Sequence, residues 1–131
     1  MKAVRFFSRS GNTKKVAEAM AQAVGVPAVS VDSSDAALEE KVDVLFIGGA
    51  LYAYGLDEKM NAYLDTLSAD KVGKAVVFST SWLSKHANDL IKEALQSKGI
   101  EVADSFYARV RVGAKISDKQ LKAASDFAKK F

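Results

Sequence analysis

The chain has 131 residues, 49% of them hydrophobic and 27% charged, which is enough for one domain with its own core and too little for two. It has no cysteine and one histidine, His86, which excludes disulfides, thiolate chemistry and cysteine-held iron–sulfur clusters and leaves a zinc or haem site short of ligands. The formal charge of +3 is mild and spread along the chain, as on solvated helix faces, and does not point to nucleic acid.

Lys2–Phe7 reads as a short apolar strand, with Arg5 interrupting what would have to be the apolar part of a signal peptide. Val16, Ala17, Met20, Ala21 and Val24 then recur at helical spacing, with Gly25 as the stop and Pro27 just beyond. Ala28–Val31 is a second strand, and Asp35–Glu40 a short helical segment. The run Val44-Leu45-Phe46-Ile47 inside Val42–Gly49 is what a strand buried on both faces requires. Asp57 caps a helix with Met60, Tyr63, Leu64 and Leu67 on one face. Ala75–Ser79 is the fourth strand, and Ser84 caps a helix that turns Ala87, Leu90, Ile91, Ala94 and Leu95 inward. Ile100–Val112 contains the fifth strand. Ser117 and Gln120 form a capping box for a last helix carrying Leu121, Ala124, Ala128 and Phe131. The longest uncharged run, Val44–Leu56, holds three glycines and falls short of the ~20 apolar residues of a membrane span. A soluble, cytoplasmic protein is expected, with no membrane contact.

Alternating strands and helices of this length build right-handed βαβ units and a parallel sheet with helices on both faces. Five strands favour the doubly wound order 2-1-3-4-5 over a six-stranded dinucleotide fold. The topological switch then lies between strands 1 and 3, where a ligand meets the loops after Phe7 and Gly49, with the loop after strand 4 beside them.

The first of these loops is Ser8-Arg9-Ser10-Gly11-Asn12-Thr13, directly before helix 1. A helix N-terminus has unpaired N–H groups and partial positive charge, so hydroxyls and a glycine placed before it suit a phosphate. Ser8, Ser10 and Thr13 bring hydroxyls, Asn12 an amide, and Gly11 room for close approach. The loop lacks Gly-x-Gly-x-x-Gly and any Gly-Lys pair, and the strand ends on Ser8 rather than on the aspartate of a phospho-receiver. Ser10 and His86 do not make a hydrolase either, since there is no Gly-x-Ser-x-Gly elbow.

Ser/Thr-x-Ser/Thr-Gly-Asn-Thr after strand 1 resembles the flavin mononucleotide (FMN) phosphate loop of the flavodoxin family, for which the order 2-1-3-4-5 is standard. The likeness extends over the whole chain, through Asp43–Gly49 to the closing helix. It implies a single flavodoxin-like domain over residues 1–131, with FMN as cofactor and the isoalloxazine between the loops after strands 3 and 4. Those loops read Ala50-Leu51-Tyr52-Ala53-Tyr54-Gly55 and Thr80-Ser81-Trp82-Leu83. The resemblance puts Tyr52 at the inner stacking position, with Tyr54 in reserve and Trp82 as the partner from the second loop. Main-chain groups around Gly48–Ala50, with Gly49 central, and around Ser79–Ser81 would read the polar edge of the ring.

Three features depart from the family pattern. The second loop is short and lacks the usual glycine–tyrosine content. The chain is basic where family members are acidic. Arg9 fills the variable position of the phosphate loop, turned to solvent or onto the phosphate. The resemblance implies an electron carrier working with redox partner proteins, here with an acidic docking face, as a monomer or weak dimer. An NAD(P)H-dependent flavin or quinone reductase is the alternative from the same superfamily, and a non-catalytic partner-binding module is the third. His86 reads as a surface residue, or as a protonation partner or substrate contact.

Overall fold

The computed structural model describes residues 1–52, 55–81, 86–111 and 113–131. Among them the elements run β1 (Lys2–Phe6), α1 (Asn12–Val24), β2 (Ala28–Ser30), β3 (Val42–Ala50), α2 (Glu58–Thr66), β4 (Val72–Ser81), α3 (His86–Ser97), β5 (Glu101–Arg109) and α4 (Asp118–Ala128). The strands form one all-parallel sheet in the order β2-β1-β3-β4-β5, as the alternation of elements predicts.

The central strand β3 shows why the sheet is doubly covered. Leu45 and Ile47 point to one side, where Met60, Tyr63 and Leu64 of α2 and Ile91 and Leu95 of α3 complete a core. Val44 and Phe46 point to the other, against Val16, Ala17 and Met20 of α1 and Ala124 and Ala128 of α4. Side chains alternate across a strand, so an uninterrupted apolar run serves two cores at once. Phe131, just past α4, packs edge-on against Phe46 at 6.2 Å between ring centroids. Gly48 makes room for a large neighbour: an added Cβ there would lie 2.2 Å from Cδ2 of Phe78 on β4.

The expected capping box is present in both directions. Ser117 Oγ accepts from the Gln120 N–H at 3.1 Å, and the Ser117 N–H donates to Gln120 Oε1 at 3.0 Å. Asp57 caps α2 by accepting from the Lys59 N–H at 2.8 Å. The proposed Ser84 cap of α3 lies outside the described residues.

Several boundaries differ from expectation: the second strand ends at Ser30 rather than Val31 and the third at Ala50 rather than Gly49. The segment 35–40 is no helix but a single 3-10 turn at Ser34–Ala36, too short to satisfy more than one turn's hydrogen bonds, after which Leu38 packs on the core. The fourth strand starts at Val72 and runs through Thr80 and Ser81, because pairing on both sides, with β3 and β5, extends it beyond its apolar run. The first strand ends at Phe6, although the Phe7 N–H still bonds the Gly48 carbonyl at 3.1 Å.

Candidate functional site

The sheet order puts the C-terminal ends of β1 and β3 side by side while their connections leave in opposite directions, and a crevice opens there. Residues 8–13 stand at this crevice between β1 and α1. Gly11 is the N-cap of α1 at φ +94°, a left-handed conformation that disfavours any residue with a Cβ. An added Cβ at Gly11 would meet nothing within 4 Å, so the backbone is open to an outside group. As a glycine, the N-cap residue has no side chain to cap the helix, and the helix has no acid in its first turn. Its positive end is thus uncompensated.

The loop's hydroxyls are ordered by its own backbone. Ser8 Oγ accepts from the Gly11 N–H at 3.0 Å, and Ser10 Oγ from the Asn12 N–H at 3.4 Å. A hydroxyl that accepts retains its own O–H for another acceptor. Thr13 and Thr80 are both buried, and their Oγ1 atoms lie 2.7 Å apart. Asn12 differs from its expected use as an amide donor. Its Nδ2 donates to the Ala114 carbonyl at 2.9 Å, and its Oδ1 accepts from the Ile116 N–H at 2.9 Å. The side chain ties α1 to the loop after β5.

A cavity of about 280 Å³ lies against this loop, lined by Ser10 and Asn12 on one side and by Ala50, Leu51 and Tyr52 from the end of β3. Thr80 and Ser81 of β4 form a further wall. Val110, Arg111 and Gly113 complete the lining; sequence reasoning missed all three, since a loop after an edge strand carries no local motif. Gly49 is buried at the end of β3, and Ser79 is buried with its Oγ unpartnered. Tyr52 and Gly55 exchange both backbone hydrogen bonds, at 2.8 and 3.0 Å, which closes the loop after β3 tightly. Ala53, Tyr54 and Trp82 lie outside the described residues.

Tyr52 also lines a second cavity, of about 520 Å³, with Arg9, Leu56 and Asp57. On that side the Arg9 guanidinium sits 3.9 Å from the Tyr52 ring centroid. The Arg9 backbone N–H donates to the Tyr52 hydroxyl at 3.2 Å, and its Nε donates to Asp57 Oδ2 at 3.0 Å, with Nη2 on the same oxygen. Arg9 therefore neither reaches out to solvent alone nor turns toward the Gly11 end of the loop. The Lys59 N–H, more than Arg9, holds the Asp57 carboxyl below its ordinary pKa. Burial pushes the Tyr52 phenol up from its ordinary value, further from physiological pH. His86 opens α3 and is exposed. No group of three or more potential metal-ligating side chains occurs, and no helix is long and apolar enough to cross a membrane, among the described residues.

The fold is that of known flavodoxins. A flavodoxin from the domain Archaea superposes with a TM-score of 0.78 at 22% identity, over 99% of this chain and 95% of that one. The Streptococcus pneumonia TIGR4 flavodoxin gives 0.74 at 18% identity, over 98% and 95%. An NAD(P)H:quinone oxidoreductase from Methanothermobacter marburgensis is more distant, at 0.53 and 13% identity, over 99% and 94%. No curated protein sequence matches significantly. The family model for the flavodoxin domain matches residues 3–125. The chain accordingly belongs to the flavodoxin family, a membership that implies a flavin cofactor.

Proposed function

We propose that this protein binds FMN across the C-terminal ends of β1, β3 and β4 and serves as an electron carrier. The observation that carries the reading is the N-terminus of α1: it has a glycine with open space at its N-cap and no acid in its first turn, and it stands beside a cavity that Ser10, Asn12 and Thr80 line. These residues fit a terminal phosphate. Ser8 and Ser10 would donate their hydroxyl protons, since each already accepts from the backbone. Between Thr13 and Thr80 one proton bridges the pair, which leaves the other hydroxyl's proton to donate outward.

Tyr52 offers one ring face to a stacked aromatic, the other being covered by Arg9. The ends of β3 and β4 at Gly49–Leu51 and Ser79–Ser81 would bring main-chain groups to the flavin edge. When bound, FMN supplies one- or two-electron transfer; the chain binds it, orients it and limits access. The short connections at this end, four residues between β4 and α3 and the closed turn at Tyr52–Gly55, support a carrier over a reductase, which needs material for a substrate pocket. Lys14, Lys15, Arg111 and Lys115 are exposed around the α1 end, which supports a redox partner with an acidic docking face.

Titration with FMN and riboflavin tests the assignment. FMN should bind far more tightly, because each charge-assisted hydrogen bond to the phosphate contributes roughly 1.5–3 kcal/mol. Equal affinities would overturn it. Rapid bleaching of the bound flavin by NADH or NADPH alone would favour the reductase instead.

A further inference from the structure

We propose that Arg9 is a positioning residue for Tyr52: held on Asp57, it fixes the Tyr52 ring as the wall on which the flavin ring stacks. The inference rests on the FMN reading above and gives the cation of the 8–13 motif a role at the cofactor's ring instead of at its phosphate. The arrangement is built outward from α2. Asp57 is the N-cap of that helix, and its Oδ1 accepts from the Lys59 N–H at 2.8 Å. That bond leaves Oδ2 for Arg9, whose Nε donates to it at 3.0 Å with Nη2 on the same oxygen. The acid's side chain is 10% exposed and the arginine's 57%. The carboxylate is therefore the fixed end, and it carries the guanidinium.

Arg9 then grips Tyr52 twice. Its main-chain N–H donates to the Tyr52 hydroxyl at 3.2 Å, and its guanidinium lies 3.9 Å from the ring centroid. The ring is held at its far end and over one face, and it cannot swing away without breaking a contact. Its backbone is fixed as well, by the two hydrogen bonds exchanged with Gly55. Tyr52 lines both cavities, whereas Arg9 lines the larger one and not the one shared by Ser10, Asn12 and Thr80. Ordering the ring before binding lowers the conformational cost of stacking a ligand on it. A cation on one face also polarises the ring, which changes what the other face presents to a stacked flavin.

The test combines flavin-fluorescence titration of the whole protein, with FMN and with riboflavin, and the absorbance spectrum of the bound flavin. Arg9→Met keeps the main-chain N–H and loses the guanidinium. It should weaken FMN and riboflavin by the same factor, roughly 2- to 10-fold, and leave their ratio unchanged. It should also shift the oxidised-flavin band and relieve fluorescence quenching. Arg9→Lys keeps the charge but not the planar fork, and should recover part of both effects. In a Tyr52→Ala background Arg9→Met should change neither affinity nor spectrum further, since Arg9 acts through that ring. Asp57→Asn leaves Arg9 in place and keeps the cap; it should shift the spectrum the same way to a smaller degree. If Arg9→Met does not fold by circular dichroism, Asp57→Asn decides. Lys119→Gln, which removes an equal charge from an exposed position on α4, should match wild type in both readouts. A fall in the FMN-to-riboflavin ratio of Arg9→Met would place Arg9 on the phosphate and overturn the inference. An unchanged spectrum, or an undiminished effect without the Tyr52 ring, would overturn it too, and each of these results leaves the FMN reading intact. A wild-type protein that binds FMN no more tightly than riboflavin would overturn that reading, and this inference with it.

Discussion

Thr13 Oγ1 and Thr80 Oγ1 lie 2.7 Å apart in a buried contact that joins the first turn of α1 to the C-terminal end of β4. Residues 67 positions apart in sequence thus share one proton at the crevice. The two proposed cofactor walls are locked together before any ligand arrives.

Removing one partner should expose that coupling. Thr80→Val keeps the shape but leaves the Thr13 hydroxyl unpaired, at a cost of about 1–3 kcal/mol in unfolding free energy. Thr13→Ala should in addition weaken FMN more than riboflavin. Chemical denaturation and flavin titration read the two effects separately, and an unchanged denaturation midpoint for Thr80→Val would mean that the contact contributes nothing.

The two glycines at this end fail for different reasons. Gly11→Ala meets no clash but forces a Cβ onto φ +94°, at about 1–2 kcal/mol, and should lower the FMN affinity by narrowing the opening. Gly48→Ala would push a Cβ to 2.2 Å from Phe78; overpacking of this kind costs about 1–3 kcal/mol. Thermal melts should show both losses, with flavin discrimination disturbed more by Gly11→Ala.

Tyr52 stands between two cavities with Arg9 on one face. Tyr52→Ala should weaken FMN, shift the oxidised-flavin absorbance band and relieve fluorescence quenching. Tyr52→Phe keeps the ring but loses the acceptor for the Arg9 N–H, so it should preserve most of the spectrum. A spectrum that is the same in wild type and Tyr52→Ala would remove Tyr52 from the flavin site.

The Asp57–Arg9 pair predicts a pH dependence with a definite sign. Asp57 is held below its ordinary pKa by the Lys59 N–H and by Arg9. Its contribution to stability is therefore complete above the ordinary value of about 3.9 and lost as pH falls through the lowered one. Asp57→Asn keeps a good N-cap and removes the charge. Because the Arg9 side chain is 57% exposed, solvent limits the pair to about 0–1 kcal/mol. Wild type should exceed Asp57→Asn by that amount at neutral pH, with the gap closing in strong acid. A gap that stays constant into acid would mean that the Asp57 charge contributes nothing to stability.

The order of elements, the doubly buried strand β3, the Ser117–Gln120 capping box and the Ser8–Thr13 motif are legible in the sequence because each depends on residues a few positions apart. Periodicity, caps and a helix-opening loop are local, and local preference here agrees with the fold. The reach of β4 to Ser81 came instead from pairing with strands on both sides. The partner of Arg9 lies 48 residues away on Asp57, and those of Asn12 are 102 and 104 residues away, at Ala114 and Ile116. Arg111 joins the cavity only because the sheet order places the end of β5 beside that of β4 and α1 packs near α4. Which loop would be the candidate site, the sequence determined from local chemistry; where Arg9 and Asn12 find their partners and which residues line the cavity, tertiary packing decided, because a side chain takes whatever distant partner the fold brings within reach.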